Sequence, residues 1–170
     1  MNTLKINSKV IIVVVFIMIL EWYGLKQYYK NYYKYTPETA PKLEIMYQNR
    51  EVVLKNADYN WFDKNPGGNS NIFGDPVETL KDYKPIDVKS DGVLQYSFMT
   101  NKPPKIILIT IHKHVDLQWK SAGEYFIFYN DVKEGRIIQL PKEKGNYIYK
   151  IGGIWDDTHS TSNIFKINVN

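Results

Sequence analysis

Apolar and polar positions follow two different patterns along the chain, one up to about residue 40 and another after it. Val10 to Leu20 is an unbroken apolar run, with Lys5 and Lys9 before it and Glu21, Trp22, Tyr23, Gly24 and Leu25 after it. Eleven helical residues rise only about 16 Å, short of a ~30 Å hydrocarbon core, whereas the twenty from Ile6 to Leu25 reach about 30 Å. Glu21 then lies at headgroup level, with Trp22 and Tyr23 in the interfacial belt. The pattern predicts an N-terminal transmembrane helix. No Ala-x-Ala-like pair of small residues lies between Glu21 and Tyr35, so a retained anchor is expected rather than a cleaved signal. Lys5 and Lys9 before the run are balanced by Lys26, Lys30 and Lys34 after it, so charge alone does not orient the span. A short tail keeps its charges inside while a long body is translocated, which predicts a single-pass protein of the cell membrane with its C-terminal domain extracytoplasmic.

Beyond the run, Lys26, Lys30 and Lys34 recur every four residues among Tyr23, Tyr28, Tyr29, Tyr32, Tyr33 and Tyr35. On a continuing helix the lysines form a stripe suited to lipid phosphates, with the tyrosine rings at the interface; a solvated extension is the equal alternative. Pro37 and Pro41 disfavour helix, so the predicted organisation is an anchor and stalk over 1–35, a linker over 36–42 and a domain over 43–170.

The body reads as mainly β. Short apolar or alternating runs occur at Leu43–Tyr47, Glu51–Leu54, Val93–Met99, Lys105–Ile111, Tyr125–Tyr129, Arg136–Leu140, Tyr147–Ile151 and Ile164–Val169, separated by turn-forming residues. Leu94, Tyr96 and Phe98 alternate with Gln95 and Ser97, as do Phe165, Ile167 and Val169 with Lys166 and Asn168, the period of half-buried strands. Ile106–Ile109 does not alternate, which predicts a central strand covered on both faces. One helix is expected near Asp75–Tyr83, with Asp75 as cap, Pro76 in the first turn, Glu78 reaching back as in a capping box, and Val77 and Leu80 facing the sheets. These elements predict an immunoglobulin-like two-sheet sandwich with one short crossover helix.

The stretch Leu140–Ile151, with Gly145, Tyr147 and Tyr149, resembles the corner at which an immunoglobulin-like domain enters its penultimate strand, and Trp155 continues the same face. Together with Tyr59-Asn60-Trp61 and Asp75-Pro76, this order resembles uncharacterised extracytoplasmic sandwich domains of membrane-anchored or lipoprotein-type proteins of Gram-positive bacteria, over about residues 57–169. The resemblance implies a structural role for these aromatics and turns and implies no activity. A helical anchor stands here in place of an acylated Cys, of which the chain has none.

Composition narrows the chemistry. The absence of Cys removes thiolate nucleophiles, disulfides, thiolate zinc sites and cysteine-ligated clusters. Of the net charge of +4, +3 belongs to the N-terminal part: five of the 22 basic and two of the 18 acidic residues lie in 1–40, leaving 17 against 16 beyond. With only Arg50 and Arg136 among the bases, nothing forms a phosphate-binding surface, and no nucleic-acid partner is expected.

His112 and His114 share a strand face, and His159 from the Trp155–His159 loop is the third candidate of a metal set; strand and hairpin histidines with no ligand are the plainer reading. Asp156, Asp157 and Asp63 lack the loop of a calcium site. Ser121, Ser160 and Ser162 have no Gly-x-Ser-x-Gly or Ser-x-x-Lys context, and Pro66–Asn71, though it contains Gly67 and Gly68, lacks the Lys of a phosphate loop. Tyr125–Tyr129 is apolar on both faces, fitting a central strand or a docking edge. Trp61 and Trp119, with Gly67, Gly68 and Asn69, are candidate contact residues for a sugar or peptide; core plugs are the competing reading of both tryptophans. The expectation is therefore a non-enzymatic binding or sensing module with no cofactor, partnered by the membrane through its helix and by an envelope component or neighbouring membrane protein. A histidine-dependent metal-binding hydrolase and a structural spacer are the alternatives.

Overall fold

A computed structural model describes residues 8–62, 69–128 and 136–170. The chain divides into two units, residues 1–35 and 36–170. The first holds α1 (Ser8–Tyr35), one uninterrupted helix through the Tyr/Lys-rich stretch. Lys26 Nζ lies 5.2 Å from the Trp22 ring, and Gln27 donates to the Tyr23 hydroxyl one turn away at 3.2 Å. Among the described residues, no helix is long and apolar enough to cross a membrane. Every residue from Ile11 to Leu20 is nevertheless exposed, from 45 % at Val15 to 67 % at Ile12.

The second unit is a β-sandwich whose described residues form eleven strands: β1 (Leu43–Tyr47), β2 (Arg50–Glu51), β3 (Lys55–Trp61), β4 (Asn69–Asn71), β5 (Ile86–Val88), β6 (Val93–Phe98), β7 (Ile106–Val115), β8 (Gln118–Phe128), β9 (Ile137–Gln139), β10 (Gly145–Asp156) and β11 (His159–Val169), with α2 (Pro76–Thr79) between β4 and β5. The smaller sheet runs β2-β1-β6-β9 and the larger β4-β3-β11-β10-β7-β8. All pairs are antiparallel except β5, which lies parallel to the end of β11 beyond the reach of β3.

Side chains of both inner faces meet in one core. Leu43, Ile45, Leu94, Tyr96, Phe98 and Ile138 of the small sheet pack on Ile107, Ile109, Tyr149, Ile151, Trp155, Phe165 and Ile167 of the large one. The Trp155 ring is met edge-on by Trp61 (5.2 Å) and Phe98 (5.4 Å), and its indole donates to the Lys102 carbonyl at 2.7 Å. A second, smaller core lies on the outer face of the large sheet, where Ala57, Ile148 and Ile164 are covered by Leu80 just after α2. Asp75 caps α2 by accepting from the Val77 amide at 2.9 Å. Glu78 does not complete the expected capping box; its carboxylate pairs with Lys81.

Several expectations change in detail. The linker over 36–42 is not a free tether at its start: Thr36 is buried, its hydroxyl donates to Asp156 Oδ2 at 2.9 Å, and Lys102 Nζ donates to its carbonyl at 3.1 Å. Ile106–Ile109 opens β7, which lies between β10 and β8, but it is covered on one face only: Ile107 and Ile109 are buried while Ile106 and Leu108 on the other face stay half-exposed. Tyr125–Phe128 forms the end of β8, the last strand of the large sheet among the described residues; Tyr129 lies outside them. Tyr125 and Ile127 pack inward, whereas Phe126 and Phe128 are each 54 % exposed.

The chain enters β10 through a sharp corner at Gly145. Gly145 has φ +140°, a conformation that side-chain-bearing residues rarely adopt, and Tyr147 donates its hydroxyl to the Glu143 carbonyl at 2.8 Å. Tyr149 stacks on Phe165 at 5.4 Å.

Candidate functional site

The inward-facing positions of β11 change character halfway along the strand. Val169, Ile167 and Phe165 are apolar; Asn163, Thr161 and His159, continuing the same face, are polar, yet all three are buried. Paired β3 sets the aromatic Trp61 and Tyr59 opposite His159 and Thr161, and Asn56 opposite Asn163. The register slips between Thr161 and Asn163, so the two strands bulge apart at this point. A cleft of about 220 Å3 opens there, closed on its other side by Ala40–Leu43 at the entry to β1. Thr161 and Asn163, 8 % and 7 % exposed, line it beside Tyr59, and Asn56 is exposed at its margin. The Thr161 hydroxyl is buried with no hydrogen-bond partner among the described residues.

The two charged residues of the cleft are already neutralised. Lys42 Nζ lies 3.3 Å from Glu44 and 3.1 Å from Glu51, and these carboxylates raise its pKa. Asp58 pairs with Lys150 through Oδ2 and accepts from the Phe73 amide through Oδ1 at 3.0 Å. Its own amide donates to the Ser162 hydroxyl at 2.9 Å. What remains is an uncharged lining of amide, hydroxyl and phenol groups.

At the far end of β11, a tighter polar cluster closes the β10–β11 hairpin. His159 Nδ1 lies 2.8 Å from Asp156 Oδ1, which also accepts from the Thr158 amide and hydroxyl, each at 2.9 Å. The His159 ring stands edge-on to Trp61 at 4.8 Å. Burial alone pushes the Asp156 carboxyl up; the hydrogen bonds from His159, Thr158 and Thr36 outweigh it and hold the group down at about 2. This cluster ties the hairpin to Thr36 at the start of the body.

The expected contact residues are scattered. Trp61 is 3 % exposed and held between Trp155 and His159, so it offers no stacking face: a core plug, because its side chain points between the sheets. Trp119 lies on the opposite, outer face, half-buried, with His114 edge-on at 5.1 Å and the small core beneath it. Gly67 and Gly68 fall outside the described residues, and Asn69 pairs with Trp61 in β4.

The three histidines do not form one set. His112 and His114 share the outer face of β7, whereas His159 lies on the inner face. His112 pairs with Ile148 of β10 and His159 with Asp156, eight residues further along that strand, or about 26 Å. Among the described residues no three His, Asp or Glu side chains are grouped to hold a metal ion. Of the residues expected to be structural, Asp75, Pro76, Gly145, Tyr147, Tyr149 and Trp155 occupy the cap, corner and core positions already described.

The sequence does not predict the cleft, although it carries a signal: Thr161 and Asn163 occupy positions where the strand period of β11 calls for apolar side chains. Neither a protein-family model nor a characterised protein matches the chain.

Proposed function

We propose that the chain is a membrane-anchored, extracytoplasmic binding module whose sandwich is of immunoglobulin-like type, and that it works by docking an envelope component or a neighbouring membrane protein rather than by turnover. The observation that carries the proposal is the surface of α1, where every side chain from Ile11 to Leu20 is exposed. Contiguous apolar surface of that extent is unfavourable in water and calls for a covering phase. In this reading a bilayer is that phase, the apolar run from Ile11 to Leu20 lies within it, and Trp22 and Tyr23 sit at its boundary. The buried residues of the main core all belong to the body.

Support for the immunoglobulin-like reading comes from the Tyr147 hydroxyl bonded back to Glu143 at the entry to β10, the arrangement of a tyrosine corner. Support for docking comes from the uncharged cleft at the β3–β11 bulge, while Asp156 and His159 bond to each other in the β10–β11 hairpin. A membrane-impermeant amine reagent applied to intact cells tests the placement. Lysines of the body are expected to be labelled without permeabilisation; labelling that requires opened cells would put the body on the other side.

A further inference from the structure

We infer that the cleft between β1, β3 and β11 is a binding site for a single neutral sugar ring. The inference rests on the binding-module reading and names the ligand class of that module. Its starting point is a conflict between pattern and placement. A sandwich interior is built from alternate apolar residues, and β11 obeys this from Val169 to Phe165 before placing Asn163 and Thr161 inward. A buried polar group without a partner destabilises the fold, and the Thr161 hydroxyl is such a group. Local rules broken without a structural return are expected at ligand sites.

The chemistry of the lining narrows the occupant. Lys42 is held by Glu44 and Glu51, and Asp58 by Lys150, so a charged ligand would find no counter-charge that is not already engaged. Asn56 and Asn163 each carry both donors and an acceptor, Thr161 adds a hydroxyl, and Tyr59 adds an aromatic ring. A sugar ring matches this mixture, with hydroxyls that donate and accept and C–H faces that pack on an aromatic ring. At about 220 Å3 the cleft lies below the ~300–1,000 Å3 typical of sites for drug-sized ligands, which limits the occupant to one ring. That ring is either a free monosaccharide or the terminal residue of a glycan.

The test uses the full-length protein in detergent micelles, titrated calorimetrically with glucose, galactose and N-acetylglucosamine, and with glucuronate and glucosamine as charged counterparts. The same neutral sugars coupled to beads through the anomeric carbon separate a glycan end, which is captured, from a free sugar, which binds only in solution. Saturable binding of at least one neutral sugar is expected, at least tenfold tighter than its charged counterparts and at least tenfold weakened by Thr161→Val and by Asn163→Leu. Thr161→Val removes the unpaired hydroxyl without changing shape, so its Tm should be equal or higher, which separates lost binding from lost folding. The inference is overturned if no neutral sugar saturates the protein or if binding survives both substitutions. Crosslinking capture of an envelope partner by the same preparation tells the two levels apart. Capture retained without sugar binding removes only this assignment; loss of both removes the binding-module reading as well.

Discussion

Asp156 ties together three parts of the chain that are distant or tightly turned: the hydroxyl of Thr36 at the start of the body, the Thr158 turn and the His159 ring. Its carboxyl is held down from 3.8 to about 2, so the charged form is favoured in the folded state. A depressed carboxylate contributes stability that is fully present above its unfolded value and lost as pH falls through the folded one. Between about pH 4 and pH 2 this single group is expected to remove about 2 kcal/mol, and urea midpoints against pH should show that slope in the wild type and not in Asp156→Asn. Gly153 makes a different kind of contribution. A Cβ there would stand 2.8 Å from the Phe98 ring and 3.0 Å from Trp155, in the centre of the core. Gly153→Ala is expected to cost about 1–3 kcal/mol, read as a lowered urea midpoint with unchanged slope.

At the scale of elements, the small outer core makes α2 more than a connection. Leu80, 1 % exposed, closes Ala57, Ile148 and Ile164 from solvent. Leu80→Ala should cost about 2–5 kcal/mol in chemical denaturation, far more than an exposed helix position would. The alternating runs of β1, β6 and the second half of β11 were legible in the sequence because each has one face in the core and one in water. The strands that were missed or cut short show what the pattern cannot carry. β3 does not stand out because Asn56, Asp58 and Asn60 make its sequence read as polar, and the apolar period of β11 reads only from Ile164 because Thr161 and Asn163 break it. The apolar run of β10 stops at Ile151 because Gly152-Gly153 reads as a breaker, whereas Gly153 admits the Phe98 ring. The β7–β8 turn was hidden for the opposite reason: Asp116 and Leu117 both take positive φ, 50° and 65°, without a glycine to announce it.

For the whole molecule, the two units differ in what they bury. The body holds the core and the cleft, and α1 holds exposed apolar surface from Ile11 to Leu20. The histidines illustrate why sequence spacing fails at this scale: His112 and His159 are brought into one sheet but onto opposite faces, a relation set by register. The cleft was missed likewise, since Leu43, Tyr59 and Thr161 meet only after two sheets have been laid together. The central claim is that α1 holds the protein in a bilayer, and alkaline carbonate extraction of membranes containing the full-length chain tests it most directly. The account predicts that the protein stays in the membrane pellet and that a Val14→Glu, Ile17→Glu double variant is released with its sandwich still folded. Release of the unsubstituted full-length protein into the supernatant would contradict it.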